Sequence, residues 1–373
     1  MINTDCIIKV PGKLMIAGEY AVLEPGYKAV VIAVDRYVTA DIKPSVDNIL
    51  YLPGLGLEEV TWSLGGEGII FNTNDERLCF VKNAFDIASQ YLVEKGLMIL
   101  PFRLHIESCL NDPITGKKYG LGSSAAIVVA IVSSILSFHG EFENELDLEK
   151  IFKLSAIAHL KTQGNGSGTD IAASVYGGWL QYSTYSSKWL LNEIKKKESV
   201  ISLIKMSWPN LSIGRVTPPK DLRLAVGWTR ESVGTAPMVE KIESFQGKNR
   251  VSYQCFLEDS YTAVTQLIGA FEMGNAKIAL DALYKNHMAL LRLGEEAGVM
   301  IETSKIKILC AVADRIGRGK SSGAGGGDCG IAFVEGDKKL QELLIEWQKV
   351  GITPLNLEVA SKGCINKQGI KTI

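Results

Sequence analysis

The chain has 373 residues, 46% hydrophobic and 22% charged, with 40 Lys+Arg against 41 Asp+Glu and a formal net charge of −1. At roughly 150 residues per domain this length carries two domains with ample material for a buried core, and the composition excludes wholesale disorder. The balanced charge leaves no excess of Lys/Arg to neutralise phosphates, which excludes nucleic acid as the main partner.

Short β-branched runs open the chain. IIKV, KAVVIAV, RYVTADI and FRLHIES read as strands, several with period-two alternation. Glu76 to Glu94 and Leu148 to Lys161 carry amphipathic helical spacing. Ala125 to Phe138 follows Gly-Ser-Ser and is apolar on nearly every face, the pattern of a buried helix. Its apolar run is interrupted by Ser133 and Ser134 and is too short to span a bilayer, so no membrane partner is expected. Trp208 to Lys220, with Pro209, Pro218 and Pro219, is the candidate domain boundary. Beyond it a strand is predicted over Leu222 to Trp228. Helices follow over Pro237 to Glu243, Gln254 to Met273, Ala276 to Gly294 and Ser304 to Ile316. A strand over Gly330 to Val334, a helix over Lys338 to Lys349 and a last strand over Leu355 to Ala360 complete the chain.

The seven cysteines are scattered with no CxxC pair, the pattern of reduced thiols in a cytoplasmic protein. The four histidines show no metal-ligand spacing, so no structural zinc is expected. The opening MINTDCIIKV lacks the basic start and apolar run of a signal peptide, which again points to the cytoplasm.

Glycine is the informative residue type. Many of the 37 glycines gather in PGKLMIAGEYAV (Pro11 to Val22), KKYGLGSSAAIVVA (Lys117 to Ala130), GNGSGTDIAASVYGGW (Gly164 to Trp179) and GRGKSSGAGGGDCGIAF (Gly317 to Phe333). Such loops serve tight turns or a ligand lying against main-chain amides. GLGSSA (Gly120 to Ala125) fits the dinucleotide fingerprint, but a turn-rich loop precedes it where a parallel strand should stand. GRGKSS ends like a P-loop, but Asp314 occupies the place of its first glycine.

What survives is a helix N-terminus. Gly122, Ser123 and Ser124 run directly into the apolar helix, so unpaired amides and the positive end of the helix dipole face the loop. The serine hydroxyls suit phosphate oxygens or Mg²⁺, or else simple N-capping. GAGGGD (Gly323, Ala324, Gly325, Gly326, Gly327, Asp328) has more glycine than a plain turn needs, which suggests amides clustered on an anion; Asp328 is either a turn cap or a chemical group. Asp170 reads as a helix cap or as a base or Mg²⁺ ligand near transferring phosphates. Lys13, set among apolar residues, is either solvated or aimed at an acid or a ligand phosphate.

In this order, PGK-x₄-GEY, GLGSSAA, the Asp170 segment and GAGGGD resemble the GHMP kinases, and the resemblance spans essentially the whole chain. Within that family, PGKLMIAGEYAVLEPGYKAVVIAVDRYV, KYGLGSSAAIVV, IAASVYGGW, AVGWT and KSSGAGGGDCGIAF are most similar to bacterial members whose acceptor is 5-phosphomevalonate. Members acting on mevalonate would be expected to carry histidine where Tyr20 stands.

The resemblance implies a two-domain α+β fold. A ribosomal-S5-like α/β ATP-binding domain would span residues 1–215 and a ferredoxin-like α+β domain residues 216–373, with the active site in the cleft between them. It implies ATP and 5-phosphomevalonate as small-molecule substrates, Mg²⁺ with the ATP, and a place in isoprenoid precursor synthesis. Carried over by position, Gly120, Leu121, Gly122, Ser123, Ser124 and Ala125 form the ATP phosphate loop, with Ser123 or Ser124 near Mg²⁺. Lys13 and Asp170 flank the transferred group, Gly323 to Asp328 line the phosphoryl path, and Tyr20, Gly227, Trp228 and Thr229 lie on the substrate side. The chain departs from the family after GWT, where RESVGTAPMV replaces the usual Gly and Pro-Ala-Ser-like run. That leaves Arg230 as a phosphate contact or a surface charge, and Ser232 and Thr235 without a settled role. The alternatives are mevalonate or another small acceptor within the same family, or a catalytically silent sensor of ATP or a metabolite.

Overall fold

The protein's structure, a computed structural model, describes residues 5–66, 68–142, 145–196, 198–231 and 235–368. The chain begins with a long antiparallel pair, β1 (Cys6–Ala17) and β2 (Lys28–Pro44), then β3 (Ile49–Leu52), β4 (Leu57–Gly65) and β5 (Gly68–Phe71). Next come α1 (Cys79–Glu94), β6 (Phe102–Ser108), α2 (Ser123–Phe138), α3 (Leu148–Gln163), α4 (Thr169–Tyr176) and β7 (Trp179–Ser183). After α5 (Ser187–Lys195), α6 (Val200–Lys205) and β8 (Ser212–Arg215), the chain leaves this sheet and enters a second one at β9 (Leu222–Trp228). The remainder is α7 (Thr235–Lys248), α8 (Arg250–Glu272), α9 (Ala276–Ala297), α10 (Ser304–Ala313), β10 (Gly317–Ser321), β11 (Cys329–Glu335), α11 (Gly336–Lys349), β12 (Thr353–Leu355) and β13 (Ile365–Gln368).

The first sheet runs β13-β1-β2-β6-β3-β4-β5, with β7 pairing β2 and β8 pairing β7; the second runs β10-β11-β9-β12. Alternation cannot describe β1 and β2, because both faces of their central portion are covered and residues Ala29 to Ala33 are all buried. α2 lies against them and is buried from Ala125 to Ala126 and from Val128 to Leu136, so it is held by apolar contact on nearly every side. Each of its fully buried Val, Ile or Leu side chains contributes about 1.5–3 kcal/mol.

The two sheets share a core on one face of the second sheet, whose other face packs a core of its own against α10 and α11. Phe271 of α8 meets Trp179 of β7 edge-on at 5.6 Å, and Phe333 of β11 lies 6.2 Å from the same indole. β13 closes the fold by pairing with β1, so the chain's last strand returns to the sheet that holds the first. Among the described residues no helix is long and apolar enough to cross a membrane.

Two sequence expectations need correction. The last strand is not Leu355 to Ala360: β12 ends at Leu355, and most of the following residues form a connection that leads to β13. The segment meets the first sheet through an isolated bridge, Val34 to Val359, on β2 between its pairings with β7 and β6. Conversely GRGKS, read as part of a glycine loop, is strand β10. Gly319 is needed there because a Cβ would lie 2.8 Å from the Cys310 Cα of α10.

Candidate active site

The site begins with β1. Its register shifts between Pro11 and Gly12, and Gly12 sits so close to the loop before α2 that a Cβ would lie 2.8 Å from the Leu121 carbonyl oxygen. Lys13 N–H donates to that same oxygen at 2.9 Å. The lysine stem then runs over Gly122, whose notional Cβ would lie 2.9 Å from Lys13 Cγ. Lys13 Nζ makes no ion pair or hydrogen bond among the described residues, and its side chain lines a cavity shared with Asp170.

Gly122 is the N-cap of α2 in the left-handed conformation, φ 77°, and provides no side-chain cap. Ser123 and Ser124 are therefore the first helical residues rather than caps. The first intrahelical bond is Ala126 N–H to Gly122 O at 3.1 Å, so the amides ahead of it have no helical partner and point out of the helix end. Ser124 Oγ lies 3.3 Å from His159 Nε2, and His159 itself lines the cavity.

Asp170 is likewise not a cap. Gly168, φ 72°, holds the N-cap of α4, which places Asp170 in the first turn, where its carboxylate accepts from Ile171 N–H at 3.0 Å. Gly168 fits there because a Cβ would come within 3.1 Å of the Tyr182 hydroxyl. Among the described residues no ion pair joins Asp170 to Lys13.

The glycine-rich loop between β10 and β11 comes to this cavity from the other half of the chain. Three contacts hold it against the first glycine segment. Tyr20 O–H donates to Ala324 O at 2.6 Å, Ser322 Oγ–H donates to Met15 O at 2.9 Å, and Lys320 pairs with Glu19 in a buried ion pair. Tyr20 itself has φ 59°, and burial, helped by the Glu19 carboxylate, pushes its phenol well above the ordinary range, so it stays a neutral donor. Gly323 and Ala324 line the cavity. Gly325 packs on the Ile301 carbonyl, which accepts Gly326 N–H at 2.9 Å, and a Cβ on Gly327 would lie 2.9 Å from Glu231 O. Asp328, φ 47°, meets the α2 loop: a Cβ on Gly120 would be 2.7 Å from its own Cβ.

The AVGWT segment sits behind this loop. Gly227 is a packing glycine, because a Cβ there would lie 2.7 Å from Leu309 Cδ1 and 2.8 Å from Ile352 Cγ2 in the core of the second sheet. Trp228 is buried edge-on against Tyr119 at 4.9 Å. Thr229 is fully buried and holds Asp328 from behind, its N–H and Oγ–H donating to Asp328 O at 2.9 and 3.1 Å. Gly227, Trp228 and Thr229 do not line the cavity, and neither do residues 120–125 of the α2 loop nor residues 325–328. Arg230 stacks over Trp228 at 5.5 Å and donates from Nε to Thr353 Oγ1 at 3.2 Å. Ser232, and the side chain of Thr235, lie outside the described residues.

Sequence reasoning passed over Glu19, His159 and Lys320. Glu19 lines the cavity and keeps Oε2 buried with no partner among the described residues. The available signal was a charged residue set among glycines and apolar residues, in GEY and again in GKSS.

Residues 80–178 match the GHMP kinases N terminal domain and residues 267–353 the GHMP kinases C terminal domain. The chain is 33% identical over 367 residues to the phosphomevalonate kinase of Streptomyces sp. (strain CL190), covering 95% of this chain and 96% of that protein. It is 26% identical over 348 residues to the mevalonate kinase of Archaeoglobus fulgidus, covering 93% and 98% respectively. The structure of Streptococcus pneumoniae phosphomevalonate kinase in complex with phosphomevalonate and AMPPNP superposes with a TM-score of 0.81 at 27% identity, covering 96% of this chain and 100% of that one.

Proposed function

The chain belongs to the GHMP kinases, and from that membership we propose that it transfers the γ-phosphoryl group of ATP to the phosphate of 5-phosphomevalonate, giving ADP and 5-diphosphomevalonate. The observation that carries the reading is the 33% identity, over nearly all of both chains, to a phosphomevalonate kinase. Tyr20 supports it, standing where a mevalonate-specific member would be expected to carry histidine. The domains of this reading are residues 1–215 and 216–373, a division supported by the passage from β8 to β9, with β13 crossing back.

A phosphate monoester has its second pKa near 6, so at neutral pH the attacking oxygen is largely deprotonated already. An acceptor phosphate oxygen attacks Pγ while the bond from Pγ to the β-bridging oxygen breaks, and the ADP oxygen takes the leaving charge. The protein's task is then to hold two anions together and neutralise them. The free amides at Gly122 to Ala125 receive the nucleotide phosphates at the positive end of α2. Lys13, running over Gly122, places an ammonium beside them, with no ion pair among the described residues to divert it. The amides of the Gly323 to Gly327 loop other than Gly326, whose N–H is committed to Ile301 O, line the path from the opposite side, with Asp328 behind them.

Ser123, whose hydroxyl makes no hydrogen bond among the described residues, and the Asp170 carboxylate are hard oxygen donors of the kind Mg²⁺ accepts. When bound, Mg²⁺ would neutralise nucleotide phosphate oxygens. Asp170 has no proton to remove in this reaction and acts by position and charge.

Release of ADP from ATP and Mg²⁺, measured with 5-phosphomevalonate and with mevalonate, tests the reading. Turnover only with the phosphorylated acceptor is expected. Turnover with mevalonate alone would support the second reading, for which the full-length match to mevalonate kinase speaks, and would make Asp170 a general base. Binding of ATP with turnover on neither acceptor would point to a sensor.

A further inference from the structure

Three ligating side chains, 15 and 8 residues apart along the chain, meet inside the C-terminal half. His287 of α9, Glu302 just before α10 and Cys310 of α10 are all buried, and one donor atom from each lies within 4.8 Å of the others. His287 Nε2 is 2.7 Å from Glu302 Oε1, and Cys310 Sγ lies 3.2 Å from the same oxygen. His287 Nδ1 is buried with no partner among the described residues.

We propose that His287, Glu302 and Cys310 form a binding site for one zinc-class divalent cation, separate from the phosphoryl-transfer cavity. Charge favours it. A dication with one carboxylate, one thiolate and one neutral imidazole forms a centre of zero net charge, the condition under which burial is least costly. Donor chemistry favours it as well, since nitrogen and sulfur select zinc or cobalt over the hard Mg²⁺ that oxygen donors hold.

The geometry is close to what zinc needs. Tetrahedral zinc spaces its N, O and S ligands about 3.3–3.7 Å apart, so opening the present contacts by about half an ångström admits the ion. Burial, with Glu302 adding to it, pushes the Cys310 thiol well up, so it is protonated without metal. Metal entry exchanges that proton for an S–metal bond and releases it to solvent, while the imidazole proton moves from Nε2 to Nδ1.

The site's place in the fold gives it a consequence. Ile301, next to Glu302, supplies the carbonyl on which Gly325 packs and to which Gly326 N–H donates at 2.9 Å. A cation joining α9, this segment and α10 would brace the support of the glycine-rich loop.

The test is cobalt substitution of the full chain, expressed with Co²⁺ as the only added transition metal and purified without air. One Co²⁺ per chain with a thiolate-to-cobalt charge-transfer band is expected, and a melting temperature that climbs with added Zn²⁺. Cys310→Ser keeps a hydroxyl toward Glu302 and should abolish the band; if that variant fails to fold, Glu302→Gln should weaken cobalt retention at least tenfold. Sub-stoichiometric cobalt, or a band that persists in Cys310→Ser and so belongs to an exposed thiol such as Cys79, Cys109 or Cys255, would overturn the proposal and leave a hydrogen-bonded triad.

Discussion

The two glycine loops that meet where Gly120 packs on Asp328 are built on different principles. The loop before α2 is a helix end. Its glycines adopt positive φ so that free amides face outward, and what presses on Gly122 is the flexible stem of Lys13. The loop after β10 is held by backbone. Gly325 and Gly327 lie on the carbonyls of Ile301 and Glu231, while Tyr20, Ser322 and Lys320 tie its approach to the other half of the chain. The first loop offers charge and dipole; the second sets distance between halves. Sequence shows both as runs of glycine, and only the neighbours separate them.

Substitutions should expose that difference. Lys13→Met has the largest expected effect on turnover. Removing a cation aimed at transferring phosphate costs on the order of 3 kcal/mol, about a hundredfold or more in kcat, with the melting temperature unchanged. A loss under tenfold would remove Lys13 from the chemistry.

Gly325→Ala should be nearly as damaging but in another way. Its Cβ would collide with a carbonyl that has nowhere to go, so melting temperature and kcat should fall together. Gly122→Ala meets a side chain instead, at a left-handed φ costing about 1–2 kcal/mol. It should raise the KM for ATP and lower kcat by displacing Lys13, with a smaller thermal shift than Gly325→Ala. Equal thermal shifts for the two alanines would erase the contrast drawn between the loops. Tyr20→Phe is expected to be mildest. Loss of the hydrogen bond to Ala324 O should cost about 1 kcal/mol and appear as a several-fold rise in acceptor KM; an effect confined to ATP would place Tyr20 on the wrong side.

Much of this was legible in the residues. GLGSSA before an apolar run could be read as a helix end because the signal is local: glycine, hydroxyls, then continuous apolar residues. Lys13 stood out because a lysine inside an apolar strand must face something polar. The resemblance to a family carried the fold, since no local pattern shows that β13 returns to β1 or that α8 packs against β7. Gly227 illustrates the limit. AVGWT drew notice as a substrate-side segment, yet Leu309 and Ile352 explain its glycine, and Thr229 acts by holding Asp328. Glu19 and Lys320 form a pair across 301 residues, and neither neighbourhood announces the other. His287, Glu302 and Cys310 were hidden by the same kind of separation.

In the proposed reaction both loops close on one phosphoryl-transfer site. Hydrogen exchange tests it most directly, comparing the free protein with protein holding Mg²⁺ and AMPPNP, with and without 5-phosphomevalonate. Protection is expected at the amides of residues 120–125 with nucleotide alone, and at residues 323–328 once the acceptor is added. Protection of the first loop with no change in the second under either condition would contradict it.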